Sequence, residues 1–61
     1  MKDKARAYRN GWSASLCKFV GGYYVAIVRN ARGDVHDRIM IDDYSAALAY
    51  YRAFSAVAKA A

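Results

Sequence analysis

The single cysteine and the single histidine, Cys17 and His36, are the residues of this 61-residue chain best suited to covalent chemistry. A thiol within hydrogen-bond reach of an imidazole can act as a nucleophile paired with its general base. The sheet predicted below places the two on opposite faces, and no third orienting group or oxyanion motif accompanies them. One Cys and one His are also too few for a closed structural zinc site. The sequence therefore predicts a protein that is not an enzyme, with no catalytic residue, no metal site and no cofactor.

Two short patterns suggest other chemistry. Adjacent Asp42 and Asp43 could bind a cation, but a carboxylate in front of an alanine-rich segment also caps a helix. The tripeptide Arg32-Gly33-Asp34 is one that integrins read in extracellular ligands, and it is also an ordinary tight-turn sequence. Helix capping and turn formation are the interpretations we adopt for these two patterns.

Hydrophobic patterning predicts an α+β fold, a three-stranded antiparallel meander packed on one C-terminal helix. The strands are expected over 13–20, 23–29 and 34–41, separated by Gly21-Gly22 and by a loop ending at Gly33. Apolar residues recur at helical spacing after Asp43, from Tyr44 to Ala58. A short N-terminal helix over 4–10, capped by Asp3, precedes the sheet.

The assumed turns decide which face each side chain occupies. A two-residue Gly-Gly turn pairs Val20 with Tyr23, and a four-residue loop pairs Arg29 with Asp34. The face predicted to pack on the helix comprises Ser15, Cys17, Phe19, Tyr24, Ala26, Val28, Val35, Asp37, Ile39 and Ile41. A slip of one residue at either turn would exchange the faces of a strand.

Residues 1–61 are predicted to form a single domain. Its composition bears on where the protein is located and whether it oligomerises. It is 57% hydrophobic, lacks proline and carries a formal net charge of +5. No apolar stretch has the length of a secretory signal core or a membrane span, which predicts a cytoplasmic protein without membrane contact. A chain this short has little core, and a second copy of itself could supply the missing burial. We therefore expect a homodimer or higher oligomer.

The sheet face left without a helix is the predicted partner-binding site, with an apolar centre and basic residues around it. Its members are Trp12, Leu16, Lys18, Tyr23, Val25, Ile27, His36, Arg38 and Met40. This composition favours a small protein-binding regulator or inhibitor, acting on an acidic protein surface or nucleoprotein complex and similar in character to phage-encoded modulators of host machinery. The alternative is a nucleic-acid-binding module that reads DNA or RNA with the same face. Strands followed by a helix resemble in order the arm-binding domains of phage integrases, although no motif is shared.

Overall fold

The computed structural model describes residues 3–61, which form one antiparallel sheet and one helix. The elements in chain order are β1 (Lys4–Ala7), β2 (Ser13–Phe19), β3 (Tyr23–Arg29), β4 (Val35–Ile41) and α1 (Tyr44–Ala60). The strands lie side by side in the order β1-β2-β3-β4, so each pairs with its neighbour in sequence. The predicted α+β class, with an antiparallel sheet on a C-terminal helix, is confirmed. The sheet has four strands where three were predicted.

The additional strand is β1, which replaces the helix predicted over 4–10. Lys4 pairs with Leu16 and Ala7 with Ser13. An isolated helix of seven residues is marginal in water, whereas pairing with the edge of β2 satisfies the same backbone groups in a ladder. The alternation of cation and alanine through Lys4–Ala7 has the period of a strand. Tertiary pairing therefore prevails over the weak helical preference of this segment.

The turn between β2 and β3 holds three residues rather than two. Phe19 pairs with Tyr23, and Gly21 and Gly22 both have positive φ, at 97° and 86°. The predicted register was wrong by one residue, which exchanges the two faces of β2. The predicted register would have buried Ser15 beneath the helix without an obvious hydroxyl partner, which is costly. In the observed register Leu16 takes the buried side and Ser15 stays half-exposed.

The pairing between β3 and β4 differs from the predicted register, but most β4 side chains stay on their predicted faces. Ile27 pairs with Arg38, and the register shifts at Val28 and Arg29. His36 is the extra residue of this β-bulge, a feature that bends and twists a strand locally. The faces predicted for Arg38 and Met40 are therefore confirmed, although their partners are not those expected.

Asn30 shapes the loop that closes this hairpin. Its Oδ1 accepts from the backbone N–H of Arg32 at 3.0 Å and of Asp34 at 3.1 Å. The backbone N–H of Gly33 donates to the Asn30 carbonyl at 2.9 Å. Turn chemistry thus accounts for the Arg32-Gly33-Asp34 tripeptide.

Helix α1 begins after Asp43, one of the two aspartates predicted to cap it, and its apolar stripe packs on the sheet with Ala47, Phe54 and Ala58 buried. Asp43 Oδ2 accepts from the Ala46 backbone N–H at 3.1 Å. The core between helix and sheet contains mostly small residues: Ala14, Leu16, Ala26, Val28, Ala47, Phe54 and Ala58. Alanine on both sides allows the helix backbone to approach the sheet closely, and Leu16 and Phe54 fill the remaining volume.

Asn10 joins the β1–β2 loop to the last turn of α1. Its Nδ2 donates to the carbonyl oxygens of Ala58 at 2.8 Å and Ala61 at 2.9 Å, and its Oδ1 accepts from the Trp12 backbone N–H at 2.9 Å. Carbonyls at a helix C-terminus have no partner within the helix. One amide side chain therefore satisfies the Ala58 carbonyl of α1, binds Ala61 just beyond the helix and fixes its own loop.

Replacing Asn10 by alanine should lower the free energy of unfolding by about 1–2 kcal/mol, because three partly exposed hydrogen bonds are lost. Asn10→Asp should cost at least as much, since it removes the donors and adds a negative charge at the negative end of the helix dipole. Urea denaturation followed by circular dichroism measures both, with Arg9→Ala as an exposed control. An aspartate variant as stable as the wild type would contradict this role.

Candidate protein-binding face

The sheet surface turned away from α1 is the candidate site, and we call it the open face. Cross-strand partners share a face, so the register assigns its members. It consists of Ala5, Ala7, Ser13, Ser15, Cys17, Phe19, Tyr23, Val25, Ile27, Arg29, Val35, Arg38 and Met40. Of the predicted site residues, it contains Tyr23, Val25, Ile27, Arg38 and Met40.

The other predicted site residues lie elsewhere. Leu16 is fully buried in the core, Trp12 packs against that core, and Lys18 pairs with Tyr24 on the helix side. His36 is exposed at the bulge, where its ring lies 5.0 Å from the Trp12 ring in an edge-to-face arrangement. The one-residue register error explains the misplacement of Leu16 and Lys18, because it reversed β2.

The same one-residue register error placed Cys17 and Phe19 in the predicted core, whereas both lie on the open face. A three-residue hairpin with glycine at positive φ is a common alternative to the two-residue turn. With a three-residue turn, Phe19 would enter the predicted site and Leu16 would leave it. Val35 was also predicted for the helix side and lies on the open face because of the bulge.

An apolar patch occupies the open face near the β2–β3 turn. Phe19 is 50% exposed, Tyr23 46% and Met40 59%. Phe19 faces Tyr23 across the strands, and Val25 lies between Cys17 and Met40. Val25 is only 2% exposed although no helix covers it, so its neighbours on the sheet shield it. We call Cys17, Phe19, Tyr23, Val25 and Met40 the apolar patch. Clustered exposed apolar side chains of this kind mark interaction surfaces.

The charges of the open face have one sign. Arg29 and Arg38 lie on it, and among the strand residues of the described range no Asp or Glu does. Asp37 pairs with Val28 and so points to the helix side. Arg29 is anchored, since its Nη1 donates to the Gly33 carbonyl at 3.1 Å. Arg38 is exposed beside Ile27 and is free to meet a partner.

Cys17 and His36 are not brought together. Cys17 is half-exposed on β2 and level with Met40, whereas His36 lies four residues away along β4 with β3 between the two strands. Within residues 3–61 no group of three or more His, Cys, Asp or Glu side chains is placed to hold a metal ion.

Fold and face together define a small α+β protein whose antiparallel sheet is covered by a helix on one side only. No family model, curated protein or solved structure matches this chain. Over the part of the chain described here, no helix has both the length and the apolar character needed to cross a membrane.

Proposed function

We propose that this protein is a non-catalytic regulator that binds an acidic protein surface through its open face. The observation that carries the proposal is the apolar patch, where Phe19, Tyr23 and Met40 are about half exposed around a buried Val25. Aromatic residues and methionine are enriched in protein interfaces, and arginine at the rim provides charge complementarity. Arg38 supplies that rim cation.

The charge of the open face favours a different protein over a second copy as its occupant. In a twofold dimer the same surface meets itself, so two faces that each carry Arg29 and Arg38 and no strand carboxylate would be brought together. Like charges at an interface are unfavourable, whereas an acidic partner complements them. The homodimer predicted from chain length stays a prediction, which light scattering at micromolar concentration tests.

Nucleic acid is the second candidate partner, favoured by the two arginines on a face without carboxylates and by the net charge of +5. The centre of the face argues against it, because Val25 and Ile27 offer no hydrogen bond to base edges. The salt dependence of binding separates the two. Phosphate contacts give a log-log slope of about −0.9 each, and contacts with an apolar patch give a much smaller one.

The proposal predicts that Met40→Asp and Arg38→Glu each weaken partner binding at least about tenfold without unfolding the protein, because both side chains are exposed. Matched controls lie on the other side of the molecule. Val57→Asp alters a helix residue that is 44% exposed, and Lys18→Glu reverses a cation on the helix side of β2. Both controls should bind normally.

Affinity capture from cell lysate, with and without nuclease treatment, identifies the partner, and calorimetry with that purified protein measures each variant. A partner lost on nuclease treatment, or controls that weaken binding as much as the open-face variants, would contradict the proposal.

A further inference from the structure

A cleft of about 520 Å³ lies between β1 and α1, on the side of the sheet opposite the open face. It exists because α1 packs mainly on β2, β3 and β4, so the edge strand β1 stands beside the helix without being covered. Lys4 and Arg6 share the helix side of the sheet with Leu16 and Ala14. The volume is within the range of small-molecule sites, roughly 300–1,000 Å³.

Three cations line this cleft. Lys4 and Arg6 project from β1, and Arg52 lies across from them on α1. Within residues 3–61 the one ion pair joins Arg32 to Asp34, so none of the three has a carboxylate partner. Asp3 is the single acidic residue of the lining, and its Oδ1 accepts from the Lys18 backbone N–H at 3.3 Å. The lining thus carries three cations against one carboxylate, a net positive charge.

Ser55 on α1 is a further polar residue beside these cations. Its Oγ is buried and has no hydrogen-bond partner among the described residues, and Ser55 lines the cleft next to Arg52. Buried hydroxyls in folded proteins are generally satisfied. Because this Oγ is closed off from solvent, an oxyanion held by the cations would meet it only after the side chain rotates about χ1, and would then provide the acceptor that the hydroxyl lacks.

We propose that this cleft binds a phosphate group, held by Lys4, Arg6 and Arg52 with Ser55 as a hydroxyl donor. Guanidinium groups form paired, charge-assisted hydrogen bonds with phosphate oxygens. Phosphate alone fills only a small part of the cleft, and the half-buried ring of Tyr51 forms an adjoining wall against which an attached sugar or base could lie. Inorganic phosphate and a mononucleotide are the two sources of this chemistry.

Chemical-shift titration of the ¹⁵N-labelled chain with inorganic phosphate and with adenosine monophosphate, at low ionic strength, tests the proposal. We expect saturable shifts at Lys4, Arg6, Arg52 and Ser55. The double variant Arg6→Ala, Arg52→Ala should bind at least about tenfold more weakly, as expected for loss of charged hydrogen bonds. The control Arg9→Ala, Arg32→Ala removes the same charge elsewhere and should stay within about twofold. Equal losses in the two double variants, or no saturable shift at the cleft, would overturn the proposal.

Ser55→Ala separates binding from folding. Alanine is the better helix former and removes an unpaired hydroxyl, so the melting temperature should hold or rise while phosphate affinity falls about three- to tenfold. Unchanged affinity would overturn the proposed geometry.

Comparing inorganic phosphate with adenosine monophosphate shows whether the cleft recognises phosphate alone or a nucleotide. Equal affinity supports recognition of phosphate alone, and tighter adenosine monophosphate with shifted Tyr51 ring resonances supports a nucleotide. Binding of a single-stranded oligonucleotide with no response to either small ligand would overturn the proposal in favour of a strand-tracking surface.

Discussion

Leu16→Ala should lower the free energy of unfolding by about 2–5 kcal/mol, the range for removing a buried leucine side chain. Leu16 is fully buried, and with Val28 it is the largest side chain in the structure to be so. A domain of this size has a total stability of roughly 3–9 kcal/mol, at about 0.05–0.15 kcal/mol per residue. The loss is therefore a large fraction of the total stability, and the urea midpoint should fall accordingly. Urea denaturation followed by circular dichroism measures the loss.

Leu48→Ala is the matched control, because it deletes the same atoms from a half-buried position on α1. It should cost about 1–2 kcal/mol, since less apolar area returns to water. This comparison also decides between the two registers of β2. With a two-residue Gly-Gly turn Leu16 would lie on the open face, and its truncation would impair binding more than stability. Equal unfolding costs for the two leucines would favour that discarded register.

Gly11→Ala should cost about 2–5 kcal/mol through two separate effects. Gly11 has a φ of +88°, a conformation that costs an L-residue about 1–2 kcal/mol. A Cβ added there would lie 3.1 Å from Ala31 Cβ and 3.3 Å from Ala31 Cα, so Ala31 would have to shift by a few tenths of an ångström. Forced contacts of this kind typically cost about 1–3 kcal/mol.

Gly33→Ala isolates the backbone term, because Gly33 has nearly the same φ of +86° and nothing within 4 Å of an added Cβ. It should cost only about 1–2 kcal/mol. Thermal denaturation of both variants gives the difference. An Ala31→Gly background should then bring the cost of Gly11→Ala down towards that of Gly33→Ala. If the two glycine variants melt together in the original background, the loops do not meet at Ala31.

The elements were predictable where apolar runs end at glycine or at a helix cap. Strand β3 runs from Tyr23 to Arg29 as expected, and α1 starts after Asp43. These boundaries depend on local chemistry that one segment carries by itself. Strand β1 could not be found in this way, because its four residues include no large apolar side chain and become a strand only by pairing with β2.

The candidate site was less predictable than the fold, because a face depends on register and register depends on one turn. Gly21 and Gly22 permit a two- or a three-residue turn equally well, since glycine adopts positive φ freely. That choice alone moved Leu16 into the core and Phe19 onto the open face. Arg38 and Met40 lie on the predicted face because β4 beyond the bulge at His36 is shifted by two residues from the predicted pairing. A shift of two residues leaves each side chain on the same face.

The bulge in β4 also bears on how this protein avoids polymerising. Both outer strands of the sheet carry unpaired backbone groups, which in a flat strand would template the addition of another chain. At one margin β1 is only four residues long and carries Lys4 and Arg6; at the other the ladder is interrupted at His36 and followed by Asp37 and Arg38. Short length, charge and local twist each discourage strand addition. Growth of the sheet is disfavoured at both margins, so we expect a partner to approach face-on, and concentrated solutions to remain free of fibres.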